Sequence, residues 1–254
     1  MSKSIFAYLT FGLREDWLLQ YLRQGQKFFN NNSLGPIQLE SFIRYLIDCG
    51  LIDKNFYLTK LTDLLKKIQN HKYFLWGIIW INLCFSSLLY KFWTNYPIDI
   101  YNKENILKIL SQEFPKKSTR SILNAYMSLV STFERTPIGD ELKQGRVIKK
   151  GNQRIVIKEG NPDVPFQAII YNLYKFAEYY KMYSFTLKKI ENMELSPQKI
   201  FAMETSKVEN ILKKSWNSSI FKVNLSDNEP LFILNNELTS LDVLSILIGG
   251  KDEI

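Results

Sequence analysis

Histidine is almost missing from this chain. His71 is the only one, and it follows Asn70 with no acid at ligand or triad spacing. Cysteine is nearly as scarce, with Cys49 and Cys84 alone. One histidine and two isolated cysteines cannot complete a tetrahedral zinc site within one chain unless carboxylates are recruited. Two thiols also argue against a disulfide scaffold and for a reducing cytoplasm. Cys84 sits inside an apolar run and is expected to be an inert buried thiol. Cys49 precedes Gly50 at the end of a helical pattern, where the helix dipole raises a thiol pKa. No Gly-x-x-x-x-Gly-Lys loop, Gly-x-Gly-x-x-Gly turn or Gly-x-Ser-x-Gly elbow occurs. The carboxylate pairs Glu15/Asp16 and Asp140/Glu141 are adjacent residues that would point apart on a helix. No internal repeat or low-complexity tract is present, and Met1 to Phe6 lacks the apolar core of a signal peptide. These absences imply no catalytic constellation, no cofactor and no metal. The expectation is a protein that is not an enzyme.

What is present fits a folded chain with a real core: 254 residues, 46% hydrophobic and 23% charged. The formal net charge of +8 is unevenly placed. Residues 1–102 carry 11 Lys/Arg against 7 Asp/Glu, residues 103–158 carry 12 against 5, and residues 159–254 carry 10 against 13. The middle segment therefore holds most of the excess, which suits a polyanion. The acidic last third suits a protein partner better.

Within the middle segment, Pro115-Lys116-Lys117-Ser118-Thr119-Arg120 reads as a helix start with Ser118 as N-cap. Ile122, Leu123, Tyr126, Met127, Leu129, Val130 and Phe133 then gather on one side of a helical wheel. Arg120, Ser121, Asn124, Ser128, Ser131 and Thr132 gather on the other, a face of short residues without an acid that a backbone or groove could approach. Cations at the first turn oppose the dipole, and a phosphate there would resolve the conflict. After Pro137 and Gly139, Arg146 to Lys158 forms two β-branched runs around Lys150-Gly151-Asn152, predicting a hairpin with a basic tip and basic ends. Helix, helix, basic hairpin is the order of a winged helix.

The rest of the chain is mostly helical by pattern. Leu13, Trp17, Leu18, Tyr21 and Leu22 share one face of a helix that Gly25 or the Asn30-Asn31-Asn32-Ser33 stretch ends. A second helix starts at Gly35-Pro36, turns Leu39, Phe42, Ile43, Leu46 and Ile47 inward, and stops at Gly50. Its outer face carries Glu40, Arg44 and Asp48 at i,i+4 spacing, so Arg44 is bracketed by carboxylates and makes a poor phosphate ligand. A short basic helix runs to about Ile68. Tyr73 to Tyr90 is uncharged between Lys72 and Lys91, close to the roughly 20 residues of a bilayer span. Asn82, Ser86 and Ser87 interrupt it, and the expectation is a buried central helix with no membrane role. Asn102 caps a helix from Lys103 to Phe114. Pro162 and Pro165 mark a boundary before a helix from Phe166 to Tyr180. Ser206 and Glu209 suggest a capping box. Ile220 to Leu225 and Leu231 to Leu234 suggest a hairpin around Ser226-Asp227-Asn228-Glu229-Pro230, and a last helix covers Thr239 to Ile248.

Phe11-Gly12-Leu13-Arg14-Glu15-Asp16-Trp17-Leu18, Leu34-Gly35, Ile43-Arg44-Tyr45, Gly50-Leu51-Ile52, Leu75-Trp76, Tyr90-Lys91-Phe92-Trp93, Thr136-Pro137-Ile138, Gly145-Arg146-Val147-Ile148 and Ser196-Pro197-Gln198-Lys199-Ile200-Phe201 stand in this order. Over nearly the whole chain this order resembles domain-of-unknown-function family 4007. The chain departs from the family pattern at Pro36 and Ile37, where the family has a second glycine and a polar residue, which argues against a ligand role at that turn. The resemblance implies an accessory factor of bacterial anti-phage islands, set beside a phosphoadenosine-phosphosulfate-reductase-like sulfurtransferase and a cysteine desulfurase of DNA phosphorothioation. It supplies no catalytic residue.

The fold expected is mostly α with small β-hairpins, as two winged-helix units around a central apolar helix plus a helical C-terminal region. The units are residues 1–70, 71–98, 99–160 and 161–254, the third carrying the basic wing. The function expected is a non-enzymatic DNA-binding or adaptor subunit of a DNA-modification or defence complex in the cytoplasm. Arg120 and Asn124 would meet the groove, while Lys116, Lys117, Arg146, Lys149, Lys150 and Arg154 hold phosphates. Duplex DNA is favoured, with RNA as the variant, since a basic groove reads either backbone. The rivals are a protein-bridging scaffold, including one in an RNA-guided complex, and a sulfur relay through a Cys49 persulfide.

Overall fold

In a computed structural model, which describes residues 7–151, 153–161, 163–214, 219–225 and 229–249, the helical spacing of the first third becomes α1 (Glu15–Gln24), α2 (Pro36–Asp48) and α3 (Lys60–Lys67). The stop at Gly50 is real: its φ of 73° is a conformation side-chain-bearing residues rarely adopt. Between α2 and α3 the only β pairing is the single bridge Ile52↔Leu58, so this first unit has no extended hairpin among the described residues. Phe42 and Leu46 are buried as the spacing predicts, while Arg44 faces outward and its Nε donates to Asp48 at 3.2 Å.

The uncharged run forms two helices, α4 (Lys72–Ser86) and α5 (Leu88–Thr94), bent by 107° at Ser87. The sequence predicts a single central helix, and the chain breaks instead at Ser87. Ser87 takes an extended backbone, its N–H closes α4 on the Leu83 carbonyl, and its own carbonyl starts α5 by accepting from Lys91. Every residue from Phe74 to Cys84 is buried, as expected of a central helix. Asn82 satisfies its amide inside the protein, donating to the Ile78 carbonyl and accepting from the Tyr171 hydroxyl. Among the described residues no single helix is long and apolar enough to cross a membrane; the bent pair would pass only by joint length and composition.

The middle of the chain runs β1 (Asp99–Tyr101), α6 (Lys103–Glu113), α7 (Thr119–Arg135), α8 (Pro137–Asp140), β2 (Arg146–Lys150) and β3 (Gln153–Lys158). Helix starts fall where capping chemistry puts them: Asn102 accepts from the Asn105 N–H at 2.8 Å, and Ser118 accepts from Ser121. The predicted hairpin is present, and β1, not predicted, adds to it as an antiparallel third strand in the order β1-β3-β2. The register pairs Tyr101 and Val147 with Val156, which turns all three inward over the core.

The last third holds α9 (Phe166–Tyr180), β4 (Ser184–Thr186), α10 (Leu187–Ile190), α11 (Pro197–Phe201), α12 (Thr205–Lys214), β5 (Phe221–Asn224), β6 (Leu231–Leu234) and α13 (Ser240–Gly249). The expected hairpin is β5 and β6, joined by β4 in the order β4-β6-β5. Ser206 lies inside the first turn of α12 and not at its cap, because the helix starts a residue earlier and Glu204 accepts its first N–H groups. Asn152, Pro162, Ser226-Asp227-Asn228 and Met1 to Phe6 lie outside the described residues.

One hydrophobic cluster runs from Tyr8 to Leu247. Trp80 packs between Tyr90 and Phe133 and donates to the Ile200 carbonyl at 2.7 Å. Trp93 donates to the Gln144 carbonyl at 2.6 Å, and Gln144 in turn donates to the Phe201 carbonyl. Buried indole N–H groups with carbonyl partners thus stitch α4 and α5 to the segments that follow. Among the described residues the architecture is mostly helical with two small antiparallel sheets.

Candidate nucleic-acid interface

The eight residues expected to face nucleic acid all lie on the β1–α6–α7–β2–β3 unit, but in two groups. Lys116 and Lys117 occupy the turn between α6 and α7, with Arg120 in the first turn of α7; all three are exposed. Asn124 follows one turn later and is half-buried. Arg146, Lys149, Lys150 and Arg154 sit on the hairpin. Antiparallel register places Lys149 directly opposite Arg154, and both reach the same carboxylate: Lys149 Nζ lies 2.9 Å and Arg154 Nη2 3.3 Å from Glu134 on α7. Arg146 is held by Glu159 at 2.6 Å. Lys150, at the tip, has no ion pair among the described residues and is exposed. The hairpin is therefore clamped to α7 by its own charges.

The small-residue face of α7 is only half available. Ser128 and Thr132 are buried, and the backbone that approaches them belongs to the chain itself. A Cβ at Gly12 would lie 2.2 Å from the Thr132 nitrogen, so only glycine passes there. The Leu13 N–H donates to Thr132 Oγ1 at 3.0 Å, and that hydroxyl also bonds the Tyr90 hydroxyl at 2.6 Å and the Tyr45 hydroxyl at 3.2 Å. The Tyr8 ring stacks on Tyr45 with centroids 4.0 Å apart, and its hydroxyl separately donates to Asp48 at 2.6 Å. The polar stripe left for an outside partner is Arg120, Ser121 and Asn124, since Gly12 packs against Ser131 as well.

Lys158, one of the basic ends of the hairpin, faces inward. It is 1% exposed, and its ammonium donates to the carbonyls of Trp93 at 2.9 Å, Thr94 at 3.2 Å and Tyr96 at 2.6 Å. It thereby caps the C-terminal end of α5. Burial pushes its pKa down to about 7, with the Cys84 thiol opposing and Lys199 adding to the shift. Alternation along the strands turns Ile100, Ile148, Ile155 and Ile157 to the opposite, outer face of the sheet, where Ile100 is 61% exposed and neighbouring Ile98 58%. Four isoleucines on a solvent face were not anticipated from the basic character of the segment.

A cleft of about 350 Å³ opens where the start of α6, the middle of α7 and the start of β3 meet. Asn102, Lys103, Glu104, Tyr126, Met127, Gln153 and Arg154 line it. Of these only Arg154 was singled out by sequence; Tyr126 was placed with the apolar side of α7 and does belong there, being 3% exposed. Burial raises the Tyr126 pKa, and Arg154, Glu104 and Glu134 act on it electrostatically.

Both cysteines are buried, and burial pushes both thiols well above their ordinary range, with Asp48 adding to the effect at Cys49. Among the described residues no group of three or more His, Cys, Asp or Glu side chains could hold a metal ion.

No protein-family model and no curated protein matches the chain. Two solved structures do match in three dimensions. A magnesium-ion-bound crystal structure of SspB superposes with a TM-score of 0.74 at 12% identity, covering 98% of this chain and 87% of SspB. A second SspB crystal structure gives 0.72 at 13% identity, with the same coverage. The chain shares the fold of SspB. At this identity the likeness fixes the path of the chain and says nothing of individual side chains.

Proposed function

We propose that this protein is a non-enzymatic DNA-binding or adaptor subunit of a bacterial DNA-modification or anti-phage complex of the phosphorothioation type. The observation that carries the reading is the concentration of basic charge in residues 103–158, which fold as helices α6, α7 and α8 followed by the β2–β3 hairpin. The SspB-like fold supports the defence context that the resemblance to family 4007 implies. In this reading Lys116, Lys117, Lys149, Lys150 and Arg154 hold backbone phosphates, and Arg120 and Asn124 reach the groove, where arginine pairs with guanine and asparagine with adenine. A sulfurtransferase of the phosphoadenosine-phosphosulfate-reductase type is the protein partner the reading implies. The outward isoleucine face favours the adaptor side of the proposal, since exposed apolar surface of this kind marks protein contacts more than phosphate contacts. The Cys49 sulfur relay is disfavoured, because a buried thiol with a raised pKa is a poor nucleophile.

The test is a salt-dependent titration of duplex DNA, duplex RNA and a neutral protein. Duplex DNA should bind with a steep negative salt slope. Replacing Lys149, Lys150 and Arg154 together with alanine should flatten that slope by about 0.9 for each lost phosphate contact. Arg120→Ala or Asn124→Ala should lower affinity or discrimination by about 1–3 kcal/mol. Arg44→Ala should act on folding stability alone, because Arg44 is paired with Asp48. An unchanged slope in the triple variant, or loss of binding in folded Arg44→Ala, would refute this interface.

A further inference from the structure

The cleft between α6, α7 and β3 is built differently from the surface around it. Tyr126 is almost wholly buried, yet among the described residues its hydroxyl has no hydrogen-bond partner. The ring is held in the core while the hydroxyl opens into the cleft, where it is free to donate to a bound acceptor. Around it the cleft divides by charge. Lys103, in the first turn of α6, and Arg154, at the start of β3 and paired with Glu134, are cationic, and the start of α6, capped by Asn102, adds positive potential. Glu104 and Gln153 supply an acid and an amide on the same walls. At about 350 Å³ the cleft is at the small end of the ~300–1,000 Å³ range of ligand pockets. A duplex cannot enter such a space; a single nucleotide unit can.

We propose that this cleft receives one unpaired nucleotide, its phosphate held by Lys103, Arg154 and the Tyr126 hydroxyl, and its base edge met by Glu104 and Gln153. A carboxylate accepts from an exocyclic amino group, and glutamine pairs with adenine. The pocket therefore favours amino-bearing bases over thymine. This deepens the nucleic-acid reading above and rests on it for the strand that delivers the nucleotide. The same nucleotide chemistry can come free or within a strand, and the two sources are separable by measurement.

The experiment compares three ligands by fluorescence anisotropy: a fully paired duplex, the same duplex with one bulged cytosine, and cytidine monophosphate as competitor. The bulged duplex should bind the wild-type protein about tenfold more tightly than the paired one. The monophosphate should compete away that increment and leave paired-duplex binding in place. Tyr126→Phe removes only an unpartnered hydroxyl, so it should melt like the wild type, keep its affinity for paired duplex and lose the increment. Should that variant not fold, Lys103→Met at the exposed rim takes its place with the same expected loss. Equal binding of paired and bulged duplexes by the wild type would overturn the proposal, as would an increment that survives Tyr126→Phe. Binding of the monophosphate by the wild type but not by Tyr126→Phe, with no affinity for either duplex, would keep the cleft and end the duplex reading.

Discussion

Lys158 shows how one side chain can reverse its sequence-level meaning. It closes a run of basic residues and reads as the outer end of a wing, yet it is spent on three main-chain carbonyls beneath the sheet. Its amine falls from 10.5 to about 7 on folding. Between those values the unfolded chain binds the extra proton, so stability must rise with pH across that window, by at most about 1.4 kcal/mol per unit. Melting temperature measured from pH 7 to 8.5 should climb in the wild type and stay flat in Lys158→Met. That range stops short of pH 9, where the buried thiols Cys49 and Cys84, shifted upward, act with the opposite sign. A Lys158→Met profile parallel to the wild type would assign the slope to another group. Nothing local in the sequence distinguishes Lys158 from Lys150. The difference comes from strand alternation combined with the arrival of β1, which fixes which face is inward. Arg44 was more legible, because its partner lies one helical turn away.

Secondary-structure elements were legible wherever their own spacing determined them. Ends of α1, α2, α6, α7 and α9 follow from glycine stops, capping side chains and an unbroken apolar face. The three-residue strands β1 and β4 were not legible, because each exists only by pairing with a later strand, β3 and β6. The break at Ser87 was visible as a polar interruption, but the 107° turn needed the packing of α5 beside Phe133 and Gln144 to be seen. Trp76 and Leu83, both fully buried on α4, test how far the core depends on this element. Each truncation to alanine should cost about 2–5 kcal/mol in denaturant unfolding. Losses below 1 kcal/mol would mean that the helix is not the centre of the core. Recovery of the wild-type protein only in detergent-released membranes would overturn the reading altogether.

Across the whole molecule, the basic middle was evident from charge counting alone, whereas its internal neutralisation was not. Glu134 sits near the end of α7, far from the hairpin in sequence and without a local partner to mark it. Only the tertiary fold brings it under Lys149 and Arg154. The burial of half of α7 is hidden in the sequence for a related reason: small residues admit any backbone, and here the backbone is that of Gly12. The two carboxylate oxygens of Glu134 occupy the position that a bridging phosphate would take between the two cations. Glu134 is in effect a tethered counter-ion, and an incoming polyanion must displace it as it would displace a condensed salt ion. Removing the tether frees both cations at once, so Glu134→Gln should tighten duplex DNA binding and make its salt slope steeper by about one to two contacts. Isothermal titration at two ionic strengths would read both effects. An affinity that falls would mean that Glu134 orients the hairpin for binding and does not compete with it. If the tether holds, this protein carries its own brake on non-specific association, set by a single acid whose strength depends on the surrounding salt.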